Sequence, residues 1–398
     1  MKAKVVTGLQ RLLEDPQLQK KFPGKIGYLC HAASITKDIE HGLLALKRVF
    51  GDRLAKVFGP QHGFVTDVQD NMVESRHGIH PYFNLQVYSL YSETRIPTQE
   101  MLKGLDHVFV DLQDVGTRIY TYIYTMTYMM EACQKAGVQV VILDRPNPID
   151  GVTMEGNVLD MKFDSFVGRH PIPVRHALTM AEVALMNQKF WNAPDCNLAI
   201  VEMQGWKREM SYEDTGLPWV LPSPNLATIE AAYTFVGTVL WEGTNISEGR
   251  GSTRSLEIIG HPKIEAFSYH DKLKTVLAKE GLEGQVLRPL VFLPTFQKHQ
   301  GIPTGGFQIH VTDRKKFEPW RLNQTLCREL YKDLGAEFKW KQPPYEYEYD
   351  RMPIDLINGT DQLRYWVEKN GTREQYNEIM KFGQTEYLAQ RQEVLLYR

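Results

Sequence analysis

Val108-Phe109-Val110-Asp111-Leu112 is a short apolar run, and a segment of helical length, 119–136, separates it from a second apolar run at 138–143. Further runs of this kind occur along the first half of the chain, at 25–30, 54–58, 87–91 and 197–203, with helical segments at 39–50 and 179–191. Runs that are apolar throughout are typical of strands buried on both faces, and their alternation with helices is typical of βαβ units. The pattern predicts an α/β domain with a doubly wound, mostly parallel sheet.

A Pro-rich stretch at 216–225 interrupts this alternation. Proline cannot continue a helix or a central strand, so we place a domain boundary there. Beyond it the strand-like runs are few and helical segments dominate, notably 228–241, 317–334 and 373–396. A length of 398 residues also suits about two domains. We therefore predict a first domain over 1–217 and a smaller α+β domain over 218–398.

Composition excludes several classes of protein. Lys+Arg 46 against Asp+Glu 48 leaves a net charge of −2, which gives no reason to expect a nucleic-acid partner. No apolar stretch is long enough for a membrane span, and the first residues lack the apolar region of a secretory signal. We expect a cytoplasmic protein as the chain is written, or a periplasmic or secreted one if a leader has been removed. The histidine and cysteine spacings match no metal motif, so no metal site is predicted.

Polar residues gather where the predicted strands end, which is the edge where open α/β sheets bind ligands. The candidates at this edge are Gln61, His62, Asp111, Gln113, Asp114, Arg118, Asp144, Arg145 and Asn147. The same residue types also cap helices and stabilise turns, so a structural role is the alternative. Asp111 and Asp114 have the spacing of a carboxylate pair for acid/base work, unless Arg118 neutralises them.

Two further features add candidates. Tyr120, Tyr124 and Tyr128 share one face of the predicted helix, which indicates core packing, whereas Tyr122 can offer its hydroxyl to a substrate. In the second domain the loop at 241–254 combines three glycines with two arginines. Arginine binds carboxylates in bidentate fashion, and the loop's hydroxyls and amides suit a polyhydroxylated ligand. Neither a dinucleotide fingerprint nor a Gly-x-Ser-x-Gly elbow is present, which argues against a nicotinamide enzyme and a serine hydrolase.

The ordered motifs of the chain resemble those of the NamZ-like exo-β-N-acetylmuramidases, a family of glycoside hydrolases. The matching segments include 58–64, 87–91, 111–118, 143–148, 166–169, 171–176, 222–225, 242–245, 247–251 and 292–296. The resemblance implies a Rossmann-like first domain and a smaller second domain, with the active site in the cleft between them. It also implies a bacterial enzyme of cell-wall turnover that needs no metal or organic cofactor. It implies release of terminal N-acetylmuramic acid from the non-reducing end of peptidoglycan fragments. On the matching motifs it adds substrate-binding candidates, namely Arg175, His176, Asn225, Glu242, Asn245, Glu248 and Arg250.

One position departs from the family pattern. The family usually has Glu in a Pro-Glu-His-Gly motif, as the leading candidate for its catalytic acid, and this chain has Gln61. An amide cannot donate a proton as a carboxylic acid does. We therefore expect Gln61 and His62 to orient the substrate and another carboxylate to act as acid or base; the candidates are Glu74, Asp111, Asp114 and Glu248. Substrate assistance by the 2-acetamido group also stays open as a mechanism, and it still needs an acid. Two alternatives stay open for the function, a non-catalytic amino-sugar-binding protein and an α/β enzyme acting on another anionic substrate.

Overall fold

A computed structural model describes residues 4–66, 69 and 73–398. Its strands are β1 (Ile26–Cys30), β2 (Leu54–Gly59), β3 (Gly78–Ile79), β4 (Gln86–Ser89), β5 (His107–Asp111), β6 (Gln139–Leu143), β7 (Glu155–Val158), β8 (Pro173–Arg175), β9 (Leu198–Val201), β10 (Ile258–His261), β11 (Gln285–Phe292) and β12 (Thr304–Val311). Its helices are α1 (Gly8–Glu14), α2 (Pro16–Gln19), α3 (Gly42–Phe50), α4 (Gln99–Leu102), α5 (Tyr122–Ala136), α6 (Met180–Phe190), α7 (Tyr212–Thr215), α8 (Ile229–Thr238), α9 (Ala266–Glu280), α10 (Pro319–Leu334), α11 (Pro353–Asn358), α12 (Gln362–Glu368), α13 (Arg373–Met380) and α14 (Gln384–Gln392).

The first domain is built on a seven-stranded sheet in the order β3-β4-β2-β1-β5-β6-β9. Every neighbouring pair is parallel except β3 with β4. Side chains alternate between the two faces: Tyr28 and Val57 pack with α1 and α3, whereas Leu29 and Phe58 point into the larger core on the opposite face. This confirms the predicted α/β class with a mostly parallel sheet.

Local sequence explains most helix ends. The α6 helix begins with a capping box in which Thr179 and Glu182 exchange hydrogen bonds, and α5 ends at Gly137 in the left-handed conformation. The prediction of one helix over 373–396 is wrong. Gly383, with φ 69°, interrupts the helical path, and two helices, α13 and α14, form instead.

The second domain has an antiparallel sheet in the order β10-β12-β11, with helices around it. Its core is continuous with the core of the first domain, since one cluster of buried apolar side chains runs from Leu29 to Val394. The end of the chain returns to the first domain, where the Tyr397 hydroxyl donates a 2.6 Å hydrogen bond to Asp144. No helix in the described part of the chain is long and apolar enough to cross a membrane.

Candidate active site

A cavity that is partly open to solvent lies between the two domains, and we call it the interdomain cavity. The sheet domain contributes the polar side chains of Gln61, His62, Tyr120 and Thr121 to its lining. The second domain contributes Glu242, Arg250, Tyr345 and Glu346. Apolar side chains such as Phe235 and Leu256 complete the wall. A concave site at a domain interface, where polar groups converge beside apolar walls, is a usual form of a small-molecule site.

Gln61 lies just beyond the carboxyl end of β2, as the strand pattern predicted for this edge of the sheet. Its side-chain oxygen accepts a 2.6 Å hydrogen bond from the Thr121 hydroxyl. Its side-chain nitrogen donates to Oε1 of Glu346 over 3.4 Å. The amide is therefore oriented by both domains, and its N–H group faces a carboxyl group.

Glu346 is the carboxyl group on the opposite side of the interdomain cavity. Its Oε2 accepts a 2.8 Å hydrogen bond from the Tyr91 hydroxyl. Burial raises the pKa of Glu346 to about 7, and the negative charge of Glu242 acts in the same direction, while the hydrogen bonds from Tyr91 and Gln61 oppose the shift. Glu346 is thus able to hold a proton near neutral pH.

Glu242 is held in a different electrostatic setting. Its Oε1 lies 2.5 Å from Nη2 of Arg250, and its Oε2 accepts a 2.7 Å hydrogen bond from Tyr345. The two carboxyl groups at the interdomain cavity therefore differ: Glu242 is paired with a cation, whereas Glu346 receives hydrogen bonds from a hydroxyl and an amide.

Arg250 is fixed by two carboxylates. Its Nε donates to Glu248 over 3.0 Å in addition to the pairing of Nη2 with Glu242. Glu248 also binds Lys298 at 2.7 Å; burial opposes its ionisation, but Lys298 and Arg250 outweigh burial and lower its pKa. Among the hydrogen bonds of the described residues, Nη1 of Arg250 has no partner. Arg250 therefore keeps one buried guanidinium nitrogen that is not hydrogen-bonded within the described residues, and Glu248 acts as its support.

The tyrosines after β5 are arranged differently from the prediction. The Tyr122 hydroxyl donates to the carbonyl of Pro222 over 2.6 Å, so it fixes the Pro-rich segment, and Tyr120 lines the interdomain cavity instead. The helical spacing misleads here because α5 begins only at Tyr122, which leaves Tyr120 in the preceding turn. His62 also lines the interdomain cavity, and its Nε2 lies 3.2 Å from the Ser223 hydroxyl.

The structure does not bring the predicted carboxylates of β5 to the interdomain cavity. Asp111 is fully buried, with Arg145 at 2.5 Å and the Tyr28 hydroxyl at 2.6 Å. Asp114 accepts a 2.7 Å hydrogen bond from the backbone N–H of Gly116 and lies 3.2 Å from Nε2 of His176. These contacts stabilise the sheet edge, which agrees with the structural role given above as the alternative for polar residues at strand ends. They do not support the predicted acid/base role of Asp111 and Asp114, or ligand binding by Arg145 and His176.

Two predicted ligand-binding arginines are structural in their contacts. Arg118 is fully buried and donates to backbone carbonyls of both domains; these belong to Asn157, Ile172, Ile357 and Asn358. Burial lowers the pKa of Arg118 to about 10. Arg175 donates to the carbonyl of Ile149 and to Asp150. Neither guanidinium lines the interdomain cavity.

The other candidates lie outside the interdomain cavity as well. Glu74 is exposed and accepts a 3.1 Å hydrogen bond from the Tyr347 hydroxyl. Side-chain contacts with backbone groups hold five more; these are Gln113, Asp144, Asn147, Asn225 and Asn245.

The sequence analysis missed Tyr345 and Glu346. They follow Pro343-Pro344 in a loop that has neither helical nor strand periodicity, so no pattern places them beside Gln61, which is 285 residues away in the chain. A buried carboxyl group in an irregular loop has no periodic pattern in the sequence that marks it as buried. Within residues 4–66, 69 and 73–398, no three His, Cys, Asp or Glu side chains cluster in a way that could hold a metal ion.

Comparisons with known proteins agree with this architecture. The two family models described as exo-β-N-acetylmuramidase NamZ, N-terminal and C-terminal, match residues 26–230 and 233–397. The peptidoglycan β-N-acetylmuramidase NamZ of Bacillus subtilis (strain 168) is 40% identical in an alignment of 379 residues that covers 93% of this chain and 86% of that protein. A crystal structure of a DUF1343 family protein from Bacteroides fragilis superposes with a TM-score of 0.87 at 27% identity and covers 100% of both chains. A second such protein from that organism has a TM-score of 0.74 at 25% identity, with 99% of both chains covered. The chain belongs to the exo-β-N-acetylmuramidase NamZ family.

Proposed function

We propose that this protein is an exo-acting β-N-acetylmuramidase, a glycoside hydrolase that releases terminal N-acetylmuramic acid from the non-reducing end of peptidoglycan-derived sugars. Family membership and the relative from Bacillus subtilis support the reaction class. The observation that carries the proposal is the interdomain cavity, in which two buried carboxyl groups in unlike settings, Glu242 and Glu346, lie with Arg250. Most glycoside hydrolases use a pair of carboxyl groups at the scissile bond.

Arg250 supports the choice of sugar. N-acetylmuramic acid differs from N-acetylglucosamine by a lactyl ether that carries a carboxylate. Arg250 lines the interdomain cavity, and its Nη1, which has no hydrogen-bond partner among the described residues, can donate a charge-assisted hydrogen bond to such a group. Glu242 and Glu248 hold the guanidinium in place, so little side-chain entropy is lost when the ligand binds.

A release assay tests the reaction. The wild-type protein is incubated with a chromogenic β-N-acetylmuramide and, in parallel, with the corresponding β-N-acetylglucosaminide. We expect chromophore release from the muramide and little from the glucosaminide. Absence of release, together with tight binding of N-acetylmuramic acid in calorimetry, would favour the non-catalytic amino-sugar-binding protein that Gln61 raised as an alternative.

Competition with free sugars tests the role of Arg250. A lost charge-assisted hydrogen bond costs about 1.5–3 kcal/mol, so Arg250→Met should weaken inhibition by N-acetylmuramic acid about 10- to 100-fold. Inhibition by N-acetylglucosamine should stay the same. Arg254→Met is the matched control, because Arg254 lies in the same loop with about half of its side chain exposed (49%). Equal weakening for both sugars would contradict recognition of the carboxylate.

A further inference from the structure

The interdomain cavity contains few groups that can supply the proton required for glycosidic cleavage. The side chain of Gln61 is an amide and has no acidic proton to give. Glu242 is paired with Arg250, and Glu248 is paired with both Arg250 and Lys298. Hydrolysis of a sugar-sugar bond still needs an acid, because an alkoxide is a poor leaving group.

We propose that Glu346 is the catalytic acid of this enzyme and that Gln61 and Tyr91 are positioning residues that orient its carboxyl group. The assignment rests on the proposed function. Glu346 is buried at the interdomain cavity, and each of its carboxyl oxygens accepts a hydrogen bond from the first domain, Oε1 from Gln61 and Oε2 from Tyr91. Rotation of the carboxyl group is thereby restricted.

The backbone at this loop supports a functional role. Glu346 and Tyr347 both have positive φ angles, 44° and 68°, in the left-handed region that side chains other than glycine adopt at an energetic cost. Such residues persist where the surrounding structure imposes them, and they cluster at active sites. The strained pair is the one that places Glu346 in the interdomain cavity.

The groups around Glu346 determine whether it holds a proton. Burial and the charge of Glu242 raise its pKa, whereas Tyr91, Gln61 and the cation of Arg95 lower it, and the result is about 7. Near neutral pH a substantial fraction of Glu346 is therefore protonated, as a general acid must be.

The proposed step conserves protons and electrons. Glu346 gives its proton to the glycosidic oxygen, the bond between C1 and that oxygen breaks, and the electron pair of the bond stays with the oxygen of the departing sugar alcohol. The ion-paired carboxylate of Glu242 lies in the same cavity, where its negative charge stabilises the positive charge that develops at C1. Water then adds its oxygen to C1, and the proton it releases returns to Glu346, the carboxylate with the raised pKa.

The test compares two substrates that differ in leaving group. A 4-nitrophenyl muramide releases a stabilised phenolate and needs little acid catalysis, whereas a muramic acid disaccharide releases a sugar alcohol and needs it. We expect Glu346→Gln to lower kcat on the disaccharide by about 10²- to 10⁴-fold and to lower it much less on the nitrophenyl substrate. In the wild type we expect kcat/KM on the disaccharide to fall as the pH rises through about 7, because Glu346 loses its proton there; we call this fall the alkaline limb of the pH profile. In Glu346→Gln the alkaline limb should disappear.

Glu155→Gln is the matched control for Glu346→Gln. Glu155 is also a buried carboxyl group whose pKa burial raises to about 7, but it lies outside the interdomain cavity and accepts a hydrogen bond from the backbone N–H of Arg321. This variant should keep the wild-type pH profile. An equal fall on both substrates in Glu346→Gln, or no fall, would overturn the assignment. If the wild type turned over neither substrate, the proposed function would fail, and this assignment with it.

A second variant keeps the proposal testable if Glu346→Gln does not fold. Tyr91→Phe removes a hydrogen bond that lowers the pKa of Glu346, so the alkaline limb of the disaccharide profile should move to higher pH. An unchanged limb in a folded Tyr91→Phe protein would contradict the assignment of Glu346.

Discussion

Arg118 provides the sharpest test of how the two domains are joined. Its guanidinium donates to carbonyls of Asn157 and Ile172 in the first domain and of Ile357 and Asn358 in the second, over 2.8–3.2 Å. The change Arg118→Met keeps the apolar stem and removes every donor. Two of the four carbonyls keep another hydrogen bond: the Ile172 carbonyl accepts from the backbone N–H of Leu159, and the Asn358 carbonyl accepts from the Asn157 side chain. The substitution therefore leaves mainly the carbonyls of Asn157 and Ile357 without a partner.

A buried acceptor left without a partner costs about 1–3 kcal/mol, so two of them give a loss of about 2–6 kcal/mol in unfolding free energy. With about 2.1 cal/mol/K of unfolding entropy per residue, a central value of about 4 kcal/mol lowers the thermal midpoint of a 398-residue chain by about 5 °C. Calorimetry measures the midpoint, and Arg48→Met, which removes a partner of Glu40 at the surface, should leave it unchanged. An unchanged midpoint in Arg118→Met together with a raised KM would refute this reasoning and restore the substrate-binding role predicted from the sequence.

Two further variants test the assignments around the site. Asp111→Asn breaks the buried ion pair with Arg145 and should lower the free energy of unfolding by about 3–5 kcal/mol in a denaturant titration, while the folded protein keeps its kcat. A stable variant with a low kcat would restore the catalytic role predicted for Asp111. Gln61→Glu places a second carboxyl group beside Glu346, so the two share a proton and the alkaline limb of the pH profile should move to higher pH. A limb that stayed in place would show that residue 61 does not face Glu346 in solution.

The fold was largely predictable from the sequence, because buried strands have a local signal. Each apolar run of the first half, such as the one at 138–143, forms a strand of the main sheet, since a strand buried on both faces must be apolar throughout. The prediction of one helix over 373–396 failed because Gly383 alone changes the path of the backbone. No helix was predicted at α9, because that helix is mostly exposed and its only buried residues are Ala266 and Leu273.

The site was predictable only in part, because contacts between distant segments leave no local pattern. Gln61, His62, Glu242 and Arg250 were identified from the strand-end rule and from dense polar motifs, and all four line the interdomain cavity. Arg118 and Asp111 satisfy the same rule yet are enclosed by carbonyls and by Arg145. A sequence shows that a charged residue follows a strand, but the partner that neutralises it comes from elsewhere in the chain.

The division of the site between the domains ties catalysis to their packing. Both cavity carboxyl groups, Glu242 and Glu346, belong to the second domain, whereas the hydrogen bonds that orient Glu346 come from Gln61 and Tyr91 of the first. A change in the domain arrangement would therefore remove these donors and alter both the direction and the pKa of the acid. Since Arg118 and a shared apolar core hold that arrangement, residues far from the substrate determine whether Glu346 is ready to give its proton.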